Sequence, residues 1–222
     1  MEIQNMITYI MEILGTVAFA ASGAMVGIRK KMDIFGVSVL GLVTAVGGGM
    51  IRDLVLGITP PNVFINPSYA SVAIIISLIV FVFVYLKRDL MDGNFKKVYD
   101  KIMLVMDTIG LAIFTVVGVN TGIQQGYVDR LFLLVFVGTI TGVGGGLLRD
   151  VMAGEPPYIF VKHIYACASI LGSVTCVYMY RSFGVVESMI VSSVVVLVVR
   201  YLAAYNHWNL PRINFQENQK NK

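Results

Sequence analysis

The sequence predicts an all-α integral membrane protein of seven transmembrane helices, six of which form an inverted repeat of three plus three. Three observations support this fold class. Of the 222 residues, 57% are hydrophobic and only 14% are charged, whereas soluble domains average about 25% charged residues. One motif of twenty residues occurs twice along the chain. Lysine and arginine are concentrated in alternate loops.

Seven apolar segments are candidates for spans, because about 20 helical residues cross the hydrocarbon core of a bilayer. Prolines and polar clusters separate them, as expected of loops. The predicted spans cover about residues 7–28, 34–57, 69–86, 102–120, 131–153, 163–180 and 184–205. Residues 1–205 therefore form one predicted membrane domain, and residues 206–222 form a polar tail.

The repeated motif predicts the inverted repeat. It reads GLVTAVGGGMIRDLVLGITP at residues 41–60 and GTITGVGGGLLRDVMAGEPP at residues 138–157, with ten of the twenty positions identical. The copies lie in the second and fifth spans, so they cross the membrane in opposite directions. The predicted repeats cover about residues 7–86 and 102–180, with an extra helix at about 184–205. Such repeats place transport sites at their interface.

The distribution of lysine and arginine predicts the orientation. Twelve lie in the first, third and fifth loops and in the tail, two lie on the opposite side, and three lie within spans. The positive-inside rule then places the N-terminus outside and the C-terminus in the cytoplasm.

Each glycine triplet has two interpretations. The triplets are Gly47, Gly48 and Gly49, and Gly144, Gly145 and Gly146. Small residues at every fourth position form seams for close helix packing. Alternatively the triplets break the helices, since each glycine costs about 1 kcal/mol relative to alanine in a helix. We expect helices two and five to be broken there, because a seam does not need three adjacent glycines.

Charged residues inside the predicted spans form a second pattern. A charge near the bilayer centre costs about 2.5–3.5 kcal/mol on insertion scales and therefore needs a partner or water. The ionisable residues considered are Glu12, Arg52, Asp53, Asp107, Arg149 and Asp150. Their depths predict two ion pairs, Glu12 with Arg52 and Asp107 with Arg149. These pairs either lock helices together or also line an aqueous path, where the surplus of acids would suit a cation.

Thr44 and Thr141 share a helix stripe with the central glycine and the arginine of their own copy. A threonine in a membrane helix bonds either its own backbone or a substrate, and both alternatives stay open. The sequence contains no nucleophile–base set, phosphate-binding loop or metal-ligand spacing. We therefore expect neither an enzyme nor a protein with a metal or another cofactor, and no nucleic-acid partner.

On the doubled GGGxxRD motif, the seven spans and the inverted repeat, residues 5–205 resemble the prokaryotic relatives of the trimeric intracellular cation (TRIC) channels. These relatives include bacterial proteins that carry a "glycine transporter" domain. The resemblance implies a homotrimer in the prokaryotic plasma membrane. Each protomer would have its own pore between spans two and five, permeable to monovalent cations, chiefly potassium.

The resemblance also implies roles for individual residues. The motif residues that carry over are Gly47, Gly48, Gly49, Arg52, Asp53, Gly144, Gly145, Gly146, Arg149 and Asp150. Thr44 and Thr141 join them as candidates for the ion path, with Glu12 and Asp107 as charge partners. Membrane lipids are further expected partners, although animal members carry a phosphoinositide-binding Lys-Glu pair where this chain has Arg-Asp. The alternative function is a secondary transporter of an ion or of a small zwitterion such as glycine.

Overall fold

A computed structural model describes residues 2–87, 95–161, 164–206 and 208. Its regular elements are helices, as the sequence predicts. In chain order they are α1 (Glu2–Arg29), α2 (Ile34–Leu56), α3 (Asn62–Ile65), α4 (Ser68–Leu86), α5 (Phe95–Gln124), α6 (Leu131–Met152), α7 (Tyr158–Val161), α8 (Tyr165–Phe183) and α9 (Val185–Tyr205). Most of the predicted tail lies outside the described residues.

Six of these helices (α1, α2, α4, α5, α6 and α9) are long and apolar enough to cross a membrane. The sixth predicted span forms α8, which has 19 residues but is not among the six. Polar residues in α8, including Ser173 and Arg181, lower its hydropathy. In α4 only Ala73 and Ser77 are buried, and its exposed side chains are mostly apolar. The chain is a multi-pass membrane protein.

The two halves of the chain repeat the same order of elements. In each half a long helix is followed by the helix that carries a glycine triplet, then by a short helix and by another long one. Helices α1, α2 and α4 pack together in the first half, and α5, α6 and α8 in the second. The halves meet where α1 packs on α5 and α2 packs on α6, and α9 packs against α8 and α5.

Helices α2 and α6 cross in opposite directions at their glycine triplets. A Cβ atom added at Gly48 would overlap the carbonyl oxygen of Thr141, and one added at Gly145 would overlap that of Thr44. These contacts are reciprocal: each central glycine lies on the threonine that precedes the other by one turn. The crossing therefore has the local symmetry of a twofold axis relating the two repeats, as the inverted repeat predicts.

The predicted helix breaks are not present. Both α2 and α6 are continuous helices through their triplets. The glycines bring the two helix backbones together instead, so the packing interpretation applies to the structure. A break was expected from the helix penalty of glycine alone, and that argument did not include the close approach that two facing glycines allow.

The seams predicted within each copy pack against helices of their own half. A Cβ atom at Gly41 would meet Ser77 of α4 and Ala20 of α1. In the second half, a Cβ atom at Gly138 would meet Ser173 of α8 and Val119 of α5. The small residues therefore let α2 and α6 pack tightly on two sides at once.

Candidate functional site

The Arg-Asp pair of each repeat has the same local geometry. Asp53 accepts hydrogen bonds from Arg52 at one carboxylate oxygen, Nε at 2.9 Å and Nη2 at 2.7 Å. Its other oxygen accepts the backbone N–H of Asn62 at 2.8 Å, where α3 begins. Asp150 likewise bonds Arg149 Nε at 2.8 Å and the N–H of Tyr158 at 2.8 Å. The aspartate thus connects its arginine to the start of the following short helix.

The second repeat contains a closed cluster of charges. Arg149 Nη1 lies 2.6 Å from Asp107 Oδ1, and both side chains are fully buried. The predicted Asp107–Arg149 ion pair is therefore confirmed. Ser22 of α1 also accepts a hydrogen bond from Arg149, which ties this cluster to the first repeat.

The predicted ion pair between Glu12 and Arg52 is wrong. Within the described part of the chain, the ion pair of Arg52 is with Asp53, the residue next to it. Glu12 instead accepts a hydrogen bond from the hydroxyl of Tyr69 on α4. The physical reason is local: Asp53 engages two guanidinium nitrogens of Arg52, while Tyr69 reaches the carboxylate of Glu12.

A tyrosine occupies the same place in the other repeat. Tyr165, at the start of α8, has its ring 4.8 Å from the guanidinium carbon of Arg200 on α9. A Cβ atom at Gly146 would lie 3.2 Å from its hydroxyl and 3.7 Å from Asp107 Oδ1. An acid, a tyrosine, an arginine and an aspartate therefore recur in both repeats, and α9 adds a second arginine to the second set.

The first repeat has a cavity where the second has a closed cluster. This cavity has a volume of about 50 Å³ and is lined by Glu12, Gly49, Arg52 and Asp53, among others. We call it the outer cavity, because the predicted orientation places it toward the outside. A space of about 10–15 Å³ is enough for one water molecule, so the outer cavity can hold a few. A wider cavity of about 370 Å³ shares Glu12, Arg52 and Tyr69 with it.

An aromatic pair lies between the outer cavity and α6. Phe114 of α5 lines the cavity, and its ring centroid lies 5.2 Å from that of Phe19 on α1. Phe19 also packs against α6, since a Cβ atom at Gly145 would lie 3.2 Å from its ring. Two apolar rings therefore extend from the outer cavity to the glycine triplet of α6.

Charged loop residues connect the two repeats at the end opposite to the outer cavity. Glu155, between α6 and α7, bonds Arg29 and lies 2.9 Å from Lys30 Nζ. Partial burial raises the pKa of Glu155, but hydrogen bonds from Lys30 and the charge of Arg29 outweigh it, so the net pKa is lowered. Arg29 also lies over the ring of Tyr99, 4.4 Å from its centroid.

The structure brings only part of the predicted ion path to a cavity. Gly49, Arg52, Asp53 and Glu12 line the outer cavity. The central glycines lie in the packed crossing of α2 and α6, and Gly144 and Gly47 lie beside it. Asp107, Gly146, Arg149 and Asp150 belong to the closed cluster.

The two threonines bond their own helices. Thr44 donates to the carbonyl of Leu40 at 2.6 Å, and Thr141 donates to that of Val137. Both are buried, so the backbone alternative applies here. A Cβ atom at Gly23 would meet the Thr44 hydroxyl at 2.5 Å, which places this side chain in helix packing.

Sequence reasoning missed several residues of these sites. Tyr69 and Tyr165 begin the same Tyr-Ala dipeptide, 96 positions apart, so extending the repeat alignment would have found them. Arg200 lies on the helix without a repeat partner, and Ser22 corresponds to Val117. Neither residue could be identified from internal symmetry. Among the described residues, no group of three or more histidine, cysteine, aspartate or glutamate side chains could hold a metal ion.

Comparison with known proteins places the chain in a family. A family model described as "Glycine transporter" matches residues 9–85 and 104–181. The UPF0126 inner membrane protein YadS of Escherichia coli (strain K12) is 39% identical over 216 residues, which cover 96% of this chain and 99% of that protein.

Solved structures of TRIC channels have the same fold. One, described as a structural basis for conductance through TRIC cation channels, has a TM-score of 0.80 and 36% identity, covering 93% of this chain and 97% of that one. A TRIC orthologue from Rhodobacter sphaeroides has a TM-score of 0.81 and 30% identity, covering 91% and 99%. The "Glycine transporter" match and the UPF0126 relatives fit the same assignment, and the chain therefore belongs to the bacterial TRIC family.

Proposed function

We propose that this protein is a monovalent cation channel that passes potassium. The observation that carries the proposal is the likeness of almost the whole chain to a TRIC cation channel, at 36% identity and a TM-score of 0.80. Such a role needs no enzymatic chemistry and no cofactor. Potassium or sodium would be the permeant ion.

The proposed ion path runs within one protomer, between α2 and α6. Its first part is the outer cavity, where two acids and one arginine leave a net negative charge. The path would continue past Phe114 and Phe19 to the cluster around Arg149. Because rings and buried ion pairs occupy that part, the proposed path would be closed there. The predicted path residues that lie in the crossing, including Thr44 and Thr141, would then act by shaping it.

The proposed assembly is a homotrimer in the prokaryotic plasma membrane, with lipids between and around the protomers. In each protomer α8 would be the seventh span, since its 19 residues are long enough to cross most of the hydrocarbon core. The N-terminus would lie outside and the tail in the cytoplasm. The Arg29–Glu155 contact requires the first loop and the α6–α7 loop to lie on one side, and the proposed orientation itself rests on the distribution of lysine and arginine.

Potassium flux from loaded liposomes tests the proposal. Reconstituted protein should release potassium at a rate proportional to its gradient, and protein-free liposomes should not. A rate equal to that of protein-free liposomes at both signs of membrane potential would contradict the channel proposal.

A second candidate is a secondary transporter of an ion or a small zwitterion such as glycine. The observation that favours it is one-sided access: one repeat has a cavity with separated Glu12 and Arg52, while the equivalent part of the other is closed. A carrier would show saturation by glycine and exchange of labelled for unlabelled glycine across the liposome membrane. Potassium flux that does not saturate with potassium concentration, without glycine exchange, would exclude it.

A further inference from the structure

We propose that Glu12 determines the preference of the path for cations over anions and that Tyr69 is the residue that positions it. This inference rests on the proposed function, because it assigns selectivity to a path that has to conduct ions. The Glu12 carboxylate lies in the outer cavity, and its surroundings differ from those of Asp107, the acid at the equivalent position of the second repeat.

The charge of the arginine in the outer cavity is compensated by the aspartate next to it. Arg52 directs Nε and Nη2 at one oxygen of Asp53, and both side chains are nearly fully buried. The second oxygen of Asp53 is occupied by the N–H of Asn62. Arg52 and Asp53 therefore neutralise each other, and neither presents an uncompensated charge to an ion in the cavity.

The carboxylate of Glu12 faces both cavities. It lines both the outer cavity and the wider one beside it, so it lies where the two meet. Tyr69 donates its hydroxyl to Oε2, and Oε1 accepts no hydrogen bond from the residues that the structure describes. This leaves one carboxylate oxygen and one negative charge directed at the cavity.

The equivalent acid of the second repeat is not available in this way. Asp107, which is 95 positions later, is bound to the fully buried Arg149. Arg149 also donates a hydrogen bond to Ser22. The residue equivalent to Ser22 in the second repeat is Val117, which has no hydroxyl to accept a hydrogen bond from Arg52. Arg200 adds a further positive charge beside Tyr165. Charges in the second cluster are therefore balanced, and Glu12 carries the charge that remains.

A cavity with one sign of charge and low-dielectric walls concentrates counter-ions. An unpaired carboxylate in such a cavity would attract potassium and repel chloride before either ion reaches the apolar rings. The hydrogen bond from the Tyr69 hydroxyl holds the Glu12 carboxylate at the junction of the two cavities. Tyr69 would therefore affect selectivity only by positioning Glu12.

The test is the reversal potential of reconstituted protein under unequal potassium chloride. Glu12→Gln should lower the ratio of potassium to chloride permeability by about tenfold or more, the scale on which charged clefts concentrate counter-ions. Glu12→Asp keeps the charge and should retain most of the preference. Tyr69→Phe should give an intermediate ratio. Glu187→Gln is the matched control, since it removes an acid at the start of α9 that lines neither cavity, and should leave the ratio unchanged.

The outcomes separate this inference from the proposed function. Wild-type protein that conducts no ions, or conducts potassium and chloride equally, would contradict the proposed function. Cation-selective wild-type protein with an equally selective Glu12→Gln variant would overturn the inference alone. If Glu12→Gln does not fold, the comparison of Glu12→Asp with Glu12→Asn makes the same test, and equal ratios in that pair overturn it.

Discussion

Gly48 and Gly49 are adjacent in the sequence but have different surroundings. A Cβ atom at Gly48 would overlap the backbone of α6 at Thr141, and no rotamer change could relieve that overlap. At Gly49 the closest atom would be Arg52 Nη2, at 3.8 Å. The triplet therefore contains one glycine that the helix crossing requires and one that borders the outer cavity.

We predict that Gly48→Ala lowers the free energy of unfolding by about 1–3 kcal/mol, the usual cost of overpacking. Gly49→Ala should be close to neutral, because the helix gains propensity and meets open space. Thermal unfolding of the two variants in detergent, together with the yield of folded protein, measures the difference. Equal stability of both variants would mean that the crossing is not as close as the structure shows.

Asp107 forms a buried ion pair with Arg149, whereas Glu12 accepts a hydrogen bond from Tyr69. We predict that Asp107→Asn costs about 3–5 kcal/mol, because it leaves a buried guanidinium without its charge partner from another helix. Glu12→Gln should cost much less, since Tyr69 can still donate a hydrogen bond to an amide oxygen. The check is the unfolding temperature of each variant. The expectation fails if Glu12→Gln proves as destabilising as Asp107→Asn.

At the scale of whole elements, ion pairs join the two repeats at one end. They connect Arg29, the last residue of α1, and Lys30, which follows it, to Glu155 in the α6–α7 loop. The corresponding positions of the other repeat are Gln124, Gln125 and Ile58, so only one end can form these ion pairs. The pKa of Glu155 is lowered in the folded state. Its contribution to stability is therefore complete above the unfolded pKa of about 4.5 and disappears as the pH falls through the lower, folded value.

We predict that Glu155→Gln lowers stability near neutral pH by about 0.5–1 kcal/mol, because these side chains are partly exposed and solvent screens them. The difference between wild type and variant should shrink well below pH 4.5 and at high salt. Unfolding temperatures over a pH series, with Glu187→Gln as a control, follow this change. A difference that is the same at all pH values would contradict the role of the carboxylate charge.

Helices α1 and α5 meet at their phenylalanines, which close the proposed path. We predict that Phe114→Ala increases potassium flux per folded protein, because it removes the ring that lines the floor of the outer cavity and weakens an apolar constriction. Phe132→Ala, at an exposed site on α6, is the matched control and should not change the flux. Unchanged or reduced flux in Phe114→Ala would place the barrier elsewhere, with Arg149 as the next candidate.

In the whole molecule, the two repeats share a sequence motif but differ in state. The motif, which recurs three spans later, predicted that α2 and α6 run in opposite directions, and the reciprocal contacts of Gly48 and Gly145 agree with this. It also predicted the Asp107–Arg149 pair from depth alone. Internal symmetry was therefore sufficient for the architecture of the site.

Symmetry was not sufficient for the differences between the repeats. Depth could not tell that Asp53 would satisfy Arg52 and leave Glu12 to Tyr69. The helix breaks were wrong because a propensity assigned to single residues cannot include the partner backbone at the crossing. The closed cluster of the second repeat includes Ser22, a residue of the first repeat, and no comparison of aligned positions predicts such a contact.

The central claim is that one chain of this fold conducts monovalent cations through its own path between α2 and α6. Single-channel recording of purified protein in a planar bilayer, with unequal potassium chloride on the two sides, tests it most directly. The account predicts unitary current steps that reverse near the potassium equilibrium potential. Currents that reverse at the chloride potential, or the absence of unitary steps alongside saturable glycine exchange, would contradict it.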